Sequence, residues 1–285
     1  MDTFMRSLDL LGQSFAILWS DKELMWLPVV SAIFCLVATA MIFGSAVLVL
    51  APFGPMAHAV AQQKLLYQEM TPFIFLFYVA TYSIGIYFNV ALVSIASNRL
   101  EGGHATLNDG LQVAWSRKWR ILQWALLAAT VGMLLKMLER RLSFLGRIIT
   151  GMIGFVWSLA SFFVVPLLAA EDMGPGEALY RSAEIFRETW GEEVVGGFSF
   201  GFIFFLLGLL GVLAPIVGAR TYGQTGMVTG FGIAVIYWLL LAVVSSAAQG
   251  VFVAALYRYA TTHQVSGGFD ADDLSGAWQR KGSDE

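Results

Sequence analysis

Residues 24–50 read LMWLPVVSAIFCLVATAMIFGSAVLVL, without one charged side chain. As a helix rising ~1.5 Å per residue the run is about 40 Å long, against a bilayer hydrocarbon core of ~30 Å. Five further stretches, about 72–97, 120–138, 147–170, 194–217 and 228–257, are apolar over a comparable length. The six runs predict an all-α integral membrane protein with six transmembrane helices.

Composition agrees. Hydrophobic residues make up 58% of the chain and charged ones 13%, with a mean hydropathy of +0.70. An ordinary soluble domain is roughly one quarter charged. With six spans in 285 residues the connections are short. Residues 1–265 are therefore read as one membrane domain and 266–285 as an acidic, mobile cytoplasmic tail. The formal net charge of −3 argues against nucleic acid as a partner, since phosphate recognition needs a basic surface. Cys35 is the lone cysteine, so no disulfide or thiolate metal site forms within one chain. His58, His104 and His263 belong to separate loops with no clustered carboxylates, and neither a metal nor a cofactor is expected. Asp2, Asp9 and Asp21 interrupt the N-terminal stretch, which is read as part of the fold rather than as a cleavable leader.

Six crossings place both termini on one side. That side collects eleven of the seventeen Lys and Arg residues, including Arg99, Arg117, Lys118, Arg120, Arg181, Arg187 and Arg258. The positive-inside rule makes it the cytoplasm. Lys136, Arg140, Arg141 and Arg147 sit on the other side, at or beside a short turn.

An internal repeat organises the chain: an amphipathic helix followed by a helical hairpin, three times over, with copies at 1–103, 104–173 and 174–265. The amphipathic parts are Asp2–Trp19, Thr106–Trp119 and Gly176–Trp190. In the third, Leu179, Ala183, Phe186 and Trp190 form the expected apolar stripe, opposite Glu177, Arg181, Glu184 and Glu188. Thr106-Leu-Asn-Asp109 has the pattern of a helix-starting capping box. The second span of each copy carries an alignable phrase: Phe88-Asn-Val-Ala-Leu92, Phe163-Val-Val-Pro-Leu167 and Phe252-Val-Ala-Ala-Leu256. Units of two spans all enter the membrane the same way round, so an axis along the membrane normal would relate them. The amphipathic helices would then lie as an interfacial collar, either as struts or as sensors of lipid and partner.

Charged groups are nearly absent from the spans, which counts against a coupled proton or sodium transporter. The candidate polar interior is neutral: Asn89, Ser83, Ser158 and Gln249. These side chains serve either as hydrogen-bonded glue between helices or as the lining of a wet path. Gly197, Gly201, Gly208 and Gly211 give the fifth span a smooth stripe for close helix packing, against a neighbour in the same chain or in a second copy.

The phrases Ala183-Glu-Ile-Phe-Arg-Glu-Thr-Trp-Gly191, Phe163-Val-Val-Pro-Leu-Leu-Ala-Ala-Glu171 and Trp124-Ala-Leu-Leu-Ala-Ala-Thr-Val-Gly132 resemble an uncharacterised prokaryotic family of six-span membrane proteins, a domain of unknown function. That family is more distantly similar to the membrane domains fused to some glycerophosphodiester phosphodiesterases. The resemblance implies a prokaryotic plasma (inner) membrane location and supplies no catalytic residues to carry over. The functional expectation is a non-enzymatic, homo-oligomeric protein, in contact with membrane lipids, that forms a passive pathway or cavity for small or lipid-like solutes. A scaffold that recruits soluble proteins is the alternative. A lipid-modifying enzyme is the third reading, with Glu101, His104, Glu171 and His263 as its only acid–base material.

Overall fold

A computed structural model describes residues 22–50, 60–142, 144–190 and 199–262. A 3-10 turn at Lys22–Met25 leads into α1 (Trp26–Leu50), followed by α2 (Val60–Leu100), α3 (Leu107–Ser116) and α4 (Lys118–Arg141). Then come α5 (Phe144–Ala160), α6 (Val164–Ala170), α7 (Pro175–Trp190), α8 (Ser199–Leu210) and α9 (Leu213–Thr262). No strand occurs among the described residues.

Among the described residues, five stretches are long and apolar enough to cross a membrane: Lys22–Val49, Met70–Leu100, Lys118–Arg141, Gly146–Ala170 and Phe204–Thr262. The first four coincide with the first four runs expected from the sequence. The last covers 59 residues and takes in most of the remaining two. Buried residues are at most 28% of the apolar window of any of these helices. Large aliphatic side chains point outward, Leu48 at 78% and Val228 at 67% exposure. Helices that are apolar on nearly every face but contribute little of it to a core need an apolar medium around them. The chain is a membrane-embedded helical protein.

Two proline-directed breaks interrupt this pattern. Pro166 is the third residue of α6, and Pro215 the third of α9. A proline lacks the N–H for the carbonyl four residues earlier, and its ring collides with that carbonyl. The helix upstream must therefore end. The last turn of α5 tightens through Phe162 N–H to Leu159 C=O and Val164 N–H to Ser161 C=O. The last turn of α8 does the same through Gly211 N–H to Gly208 C=O and Val212 N–H to Leu209 C=O.

The described residues group into two units. One comprises Val29–Ala91 and Asn108–Ala183. In it α1 meets α2 through Phe34–Phe88 and Phe43–Phe77, with ring centroids 5.8 and 5.4 Å apart. Trp124 of α4 stacks on Trp157 of α5 at 5.8 Å. The order is antiparallel: Phe34 meets Phe88 while the later Phe43 meets the earlier Phe77, and Trp124 near the start of α4 meets Trp157 near the end of α5. The other unit comprises 22–28, Leu92–Leu107 and 184–262. Its core is Leu24, Leu92, Ile95, Ala247, Val251 and Leu256, all essentially inaccessible. Leu92 fills the notch beside Gly250, where any Cβ would collide with its δ carbon.

Candidate functional site

Of the residues expected to form a polar interior, Ser83, Asn89 and Ser158 belong to one unit and Gln249 to the other. Ser83 and Asn89 are half-buried on α2, Ser158 is exposed on α5, and Gln249 is exposed on α9. Ser83 donates to its own helix at Val79 C=O (2.7 Å), and Ser158 to Gly154 C=O (3.0 Å). Such back-bonding satisfies a hydroxyl in hydrocarbon without any neighbour. The amides of Asn89 and Gln249 make no hydrogen bond among the described residues.

The glycine stripe resolves differently along its length. Gly197 lies outside the described residues, and Gly201 is in α8. A Cβ on Gly208 would meet nothing within 4 Å. Gly211, by contrast, sits against the rings of Tyr237 and Trp238, so its neighbour belongs to the same chain. The α8 and α9 backbone explains why. A straight helix of 59 residues would be about 90 Å long, three times the bilayer core. Helical geometry fails at Tyr222 (φ −128°, ψ 16°) and Gly223 (φ 61°, ψ −139°). The second pair of angles is accessible to glycine alone at little cost. Beyond this point the contacts run in antiparallel order: Gly226 against Gly218, Gly230 against Ala214 and Pro215, Trp238 against Gly211. Gly226 and Gly230 are a G-x-x-x-G pair facing Ala214 and Gly218, themselves four apart, so the two backbones touch.

Two side chains, missed in the sequence, secure this fold-back. The tightened end of α8 leaves Leu207 C=O without its usual intrahelical donor. Tyr237 O–H donates to it at 2.7 Å, and Trp238 Nε1–H donates to Gly208 C=O at 2.8 Å. Aromatic residues that carry donors and lie in register with a proline-induced break were the available signal.

Ser182 plays the same part in the other unit. Its buried hydroxyl accepts the N–H of Phe163, 2.9 Å away, at the break between α5 and α6. The buried face of α7 is accordingly Ala178, Ser182, Ile185 and Phe186, largely one residue out of step with the apolar stripe read from the sequence.

Ionic contacts gather at helix ends. Arg117, between α3 and α4, binds Asp172 Oδ1 at 2.7 Å, and Arg120 reaches the same oxygen at 3.5 Å. The hydrogen bond and charge of Arg117, with Arg120 adding to both, hold the Asp172 carboxyl below the ordinary aspartate range. In the second unit Arg99 clamps Ala105 C=O through Nε and Nη2 at 3.0 and 2.9 Å, while Asn98 Oδ1 accepts Ala105 N–H. Gly102, with φ +82°, makes the intervening turn possible. Arg258 is only 18% exposed and lies 3.7 Å from Glu101. Of the acid–base candidates, Glu101 thus faces an arginine, Glu171 is exposed, and His263 lies outside the described residues. No group of three metal-ligating side chains occurs among the described residues.

A family model matches residues 69–268, which include all three phrases quoted for the resemblance and every break and clamp described here. The chain belongs to the family of unknown function DUF6159. No curated protein and no solved structure matches the chain. This DUF6159 protein is an apolar helical scaffold in which Tyr237, Trp238 and Ser182 repair helix breaks, Arg99 and Asn98 fix a turn, and Ser83 and Ser158 bond back to their own helices.

Proposed function

We propose that this DUF6159 protein crosses a prokaryotic plasma membrane six times as three helical hairpins, with both termini cytoplasmic, and assembles with copies of itself around a passive route for small or lipid-like solutes. Support for six crossings is the glycine-lined reversal at Tyr222–Gly223, which turns the longest apolar stretch into two arms. Pairing of α1 with α2 and of α4 with α5 supplies the other two hairpins. The aligned Phe and Leu positions of the three phrases are all buried, which favours the threefold repeat. Any likeness to phosphodiesterase-fused membrane domains belongs to this same proposal and rests on the quoted phrases alone.

One observation carries the route. Gln249 is exposed within 226–257, the part of α9 without a charged side chain, about 20 Å along the axis from Thr262. An amide facing hydrocarbon is costly, and a second copy offers it a hydrogen bond worth ~0.5–2 kcal/mol. A seam of neutral amides and hydroxyls between copies would pass uncharged solutes and offer ions little stabilisation. The reading is non-enzymatic, in keeping with the pairing of Glu101 with Arg258.

The test uses purified protein in liposomes, a panel of neutral, ionic and lipid-like solutes, and cysteine crosslinking at position 249 in a Cys35→Ser background. Passage of at least one solute, altered by Gln249→Leu or Asn89→Leu, and crosslinking between copies are expected. An impermeable panel with no crosslink at position 249 refutes the route.

A further inference from the structure

The junction Trp115-Ser-Arg-Lys-Trp-Arg120 between α3 and α4 has no part in that route. Trp115 and Trp119 are 62% and 67% exposed, although indole rings seek either a core or a membrane boundary. Trp119 heads an outward stripe of α4 that continues through Leu122, Leu126, Leu134 and Met137, all exposed. At ~100° per residue Lys118 and Arg120 fall on either side of that stripe. Lys118 Nζ stands 4.2 Å over the Trp115 ring. Arg117 and Arg120 share the carboxylate of Asp172, so among the described residues these two arginines and Lys118 have one ionic partner between them and the junction stays positive. A basic pair beside a tryptophan, crowning an apolar stripe that faces away from the protein, matches a lipid in both charge and polarity.

We propose that this junction binds an anionic phospholipid. Lys118 and Arg120 hold the headgroup phosphate, Trp119 sits at the glycerol level, and an acyl chain lies along Leu122, Leu126 and Leu134. Arg120 spends one of its five N–H donors on Asp172, which leaves its guanidinium fork able to take a phosphate oxygen. Asp172 anchors Arg117 and tempers the local charge. Because the net charge is positive, a zwitterionic lipid with the same chains gains less.

Native mass spectrometry of the full chain, released from detergent with equimolar phosphatidylglycerol and phosphatidylcholine of matched chains, tests this directly. The wild type should retain phosphatidylglycerol in preference. Lys118→Gln should lower that preference about fivefold, and Lys118→Gln with Arg120→Gln about thirtyfold. Lys118→Arg should keep it, and Lys136→Gln, toward the far end of α4, should leave it unchanged. Asp172→Asn should raise it, a gain that a misfolded variant would not produce. Equal retention of both lipids by the wild type, or an undiminished preference in the double variant, overturns the proposal.

Discussion

Removing one oxygen from Tyr237 isolates the energetic role of the fold-back lock. Its hydroxyl is the donor to Leu207 C=O, and the tightened end of α8 has already redirected the Gly211 N–H that would otherwise serve. Tyr237→Phe keeps the ring against Gly211 and leaves the carbonyl without a partner. Interhelical hydrogen bonds in membrane proteins average ~0.6 kcal/mol and reach ~1.7. A buried acceptor stripped of its donor costs about 1–3 kcal/mol. For a short 2.7 Å bond in hydrocarbon the loss should be about 1 to 1.5 kcal/mol. Trp238→Phe removes a second donor and part of an indole, and the double variant should lose more than either single one. Reversible unfolding in mixed detergent micelles, with helix content and fluorescence as readouts, measures these differences. Tyr222→Phe serves as the control, because Tyr222 is 80% exposed. A Tyr237→Phe protein indistinguishable from the wild type, or a Tyr222→Phe protein equally destabilised, would refute the claim that the hydroxyl repairs the break.

Other outcomes follow from the same packing. Gly226→Ala places a methyl against the Gly218 carbonyl and should cost about 1–3 kcal/mol, whereas Gly232→Ala, with nothing within 4 Å, should be neutral or slightly stabilising; equal effects in unfolding curves would exclude the close approach. Ser182→Ala leaves the Phe163 N–H unmatched and should lower stability by about 1–2 kcal/mol, while Ser158→Ala, whose hydroxyl bonds within its own helix, should fall within ~0.5 kcal/mol of wild type. The Asp172 carboxyl is depressed by Arg117 and Arg120, so its contribution is complete above the ordinary aspartate pKa of ~3.9 and fades only as pH drops through the lowered value. The melting-temperature gap between wild type and Asp172→Asn should therefore stay constant from pH 7 to about 5 and close at more acidic pH; a gap that disappears near pH 6 contradicts the pairing.

Length and charge made the helices legible. A charge-free run such as 24–50 has one workable form in hydrocarbon, and α1 follows it nearly residue for residue. Asp172 and Arg117 were visible as charges but not as partners, because they are distant in sequence and meet only through the fold. Ser182 has no place in the apolar stripe read for α7 through Leu179 and Ala183, yet its hydroxyl is buried on a backbone N–H. The breaks before Pro166 and Pro215 were readable from proline chemistry, and Gly226-x-x-x-Gly230 from spacing. Their partners at Tyr237, Trp238, Ala214 and Gly218 required knowing that the chain reverses at Gly223. Polar residues in a membrane interior look alike in a sequence whether they mend a helix or line a path. Only position tells them apart, and here Ser83 and Ser158 bond to their own helices while Gln249 looks outward.

The reversal at Tyr222–Gly223 is tested most directly by labelling single cysteines, in a Cys35→Ser background, with an impermeant thiol reagent on intact cells and on inverted vesicles. Gln224→Cys should react from outside the cell, and Asp172→Cys and Thr262→Cys only from the cytoplasmic side. If positions 224 and 262 were reached from the same face, the last apolar stretch would not be two opposed crossings and the six-span account would fall.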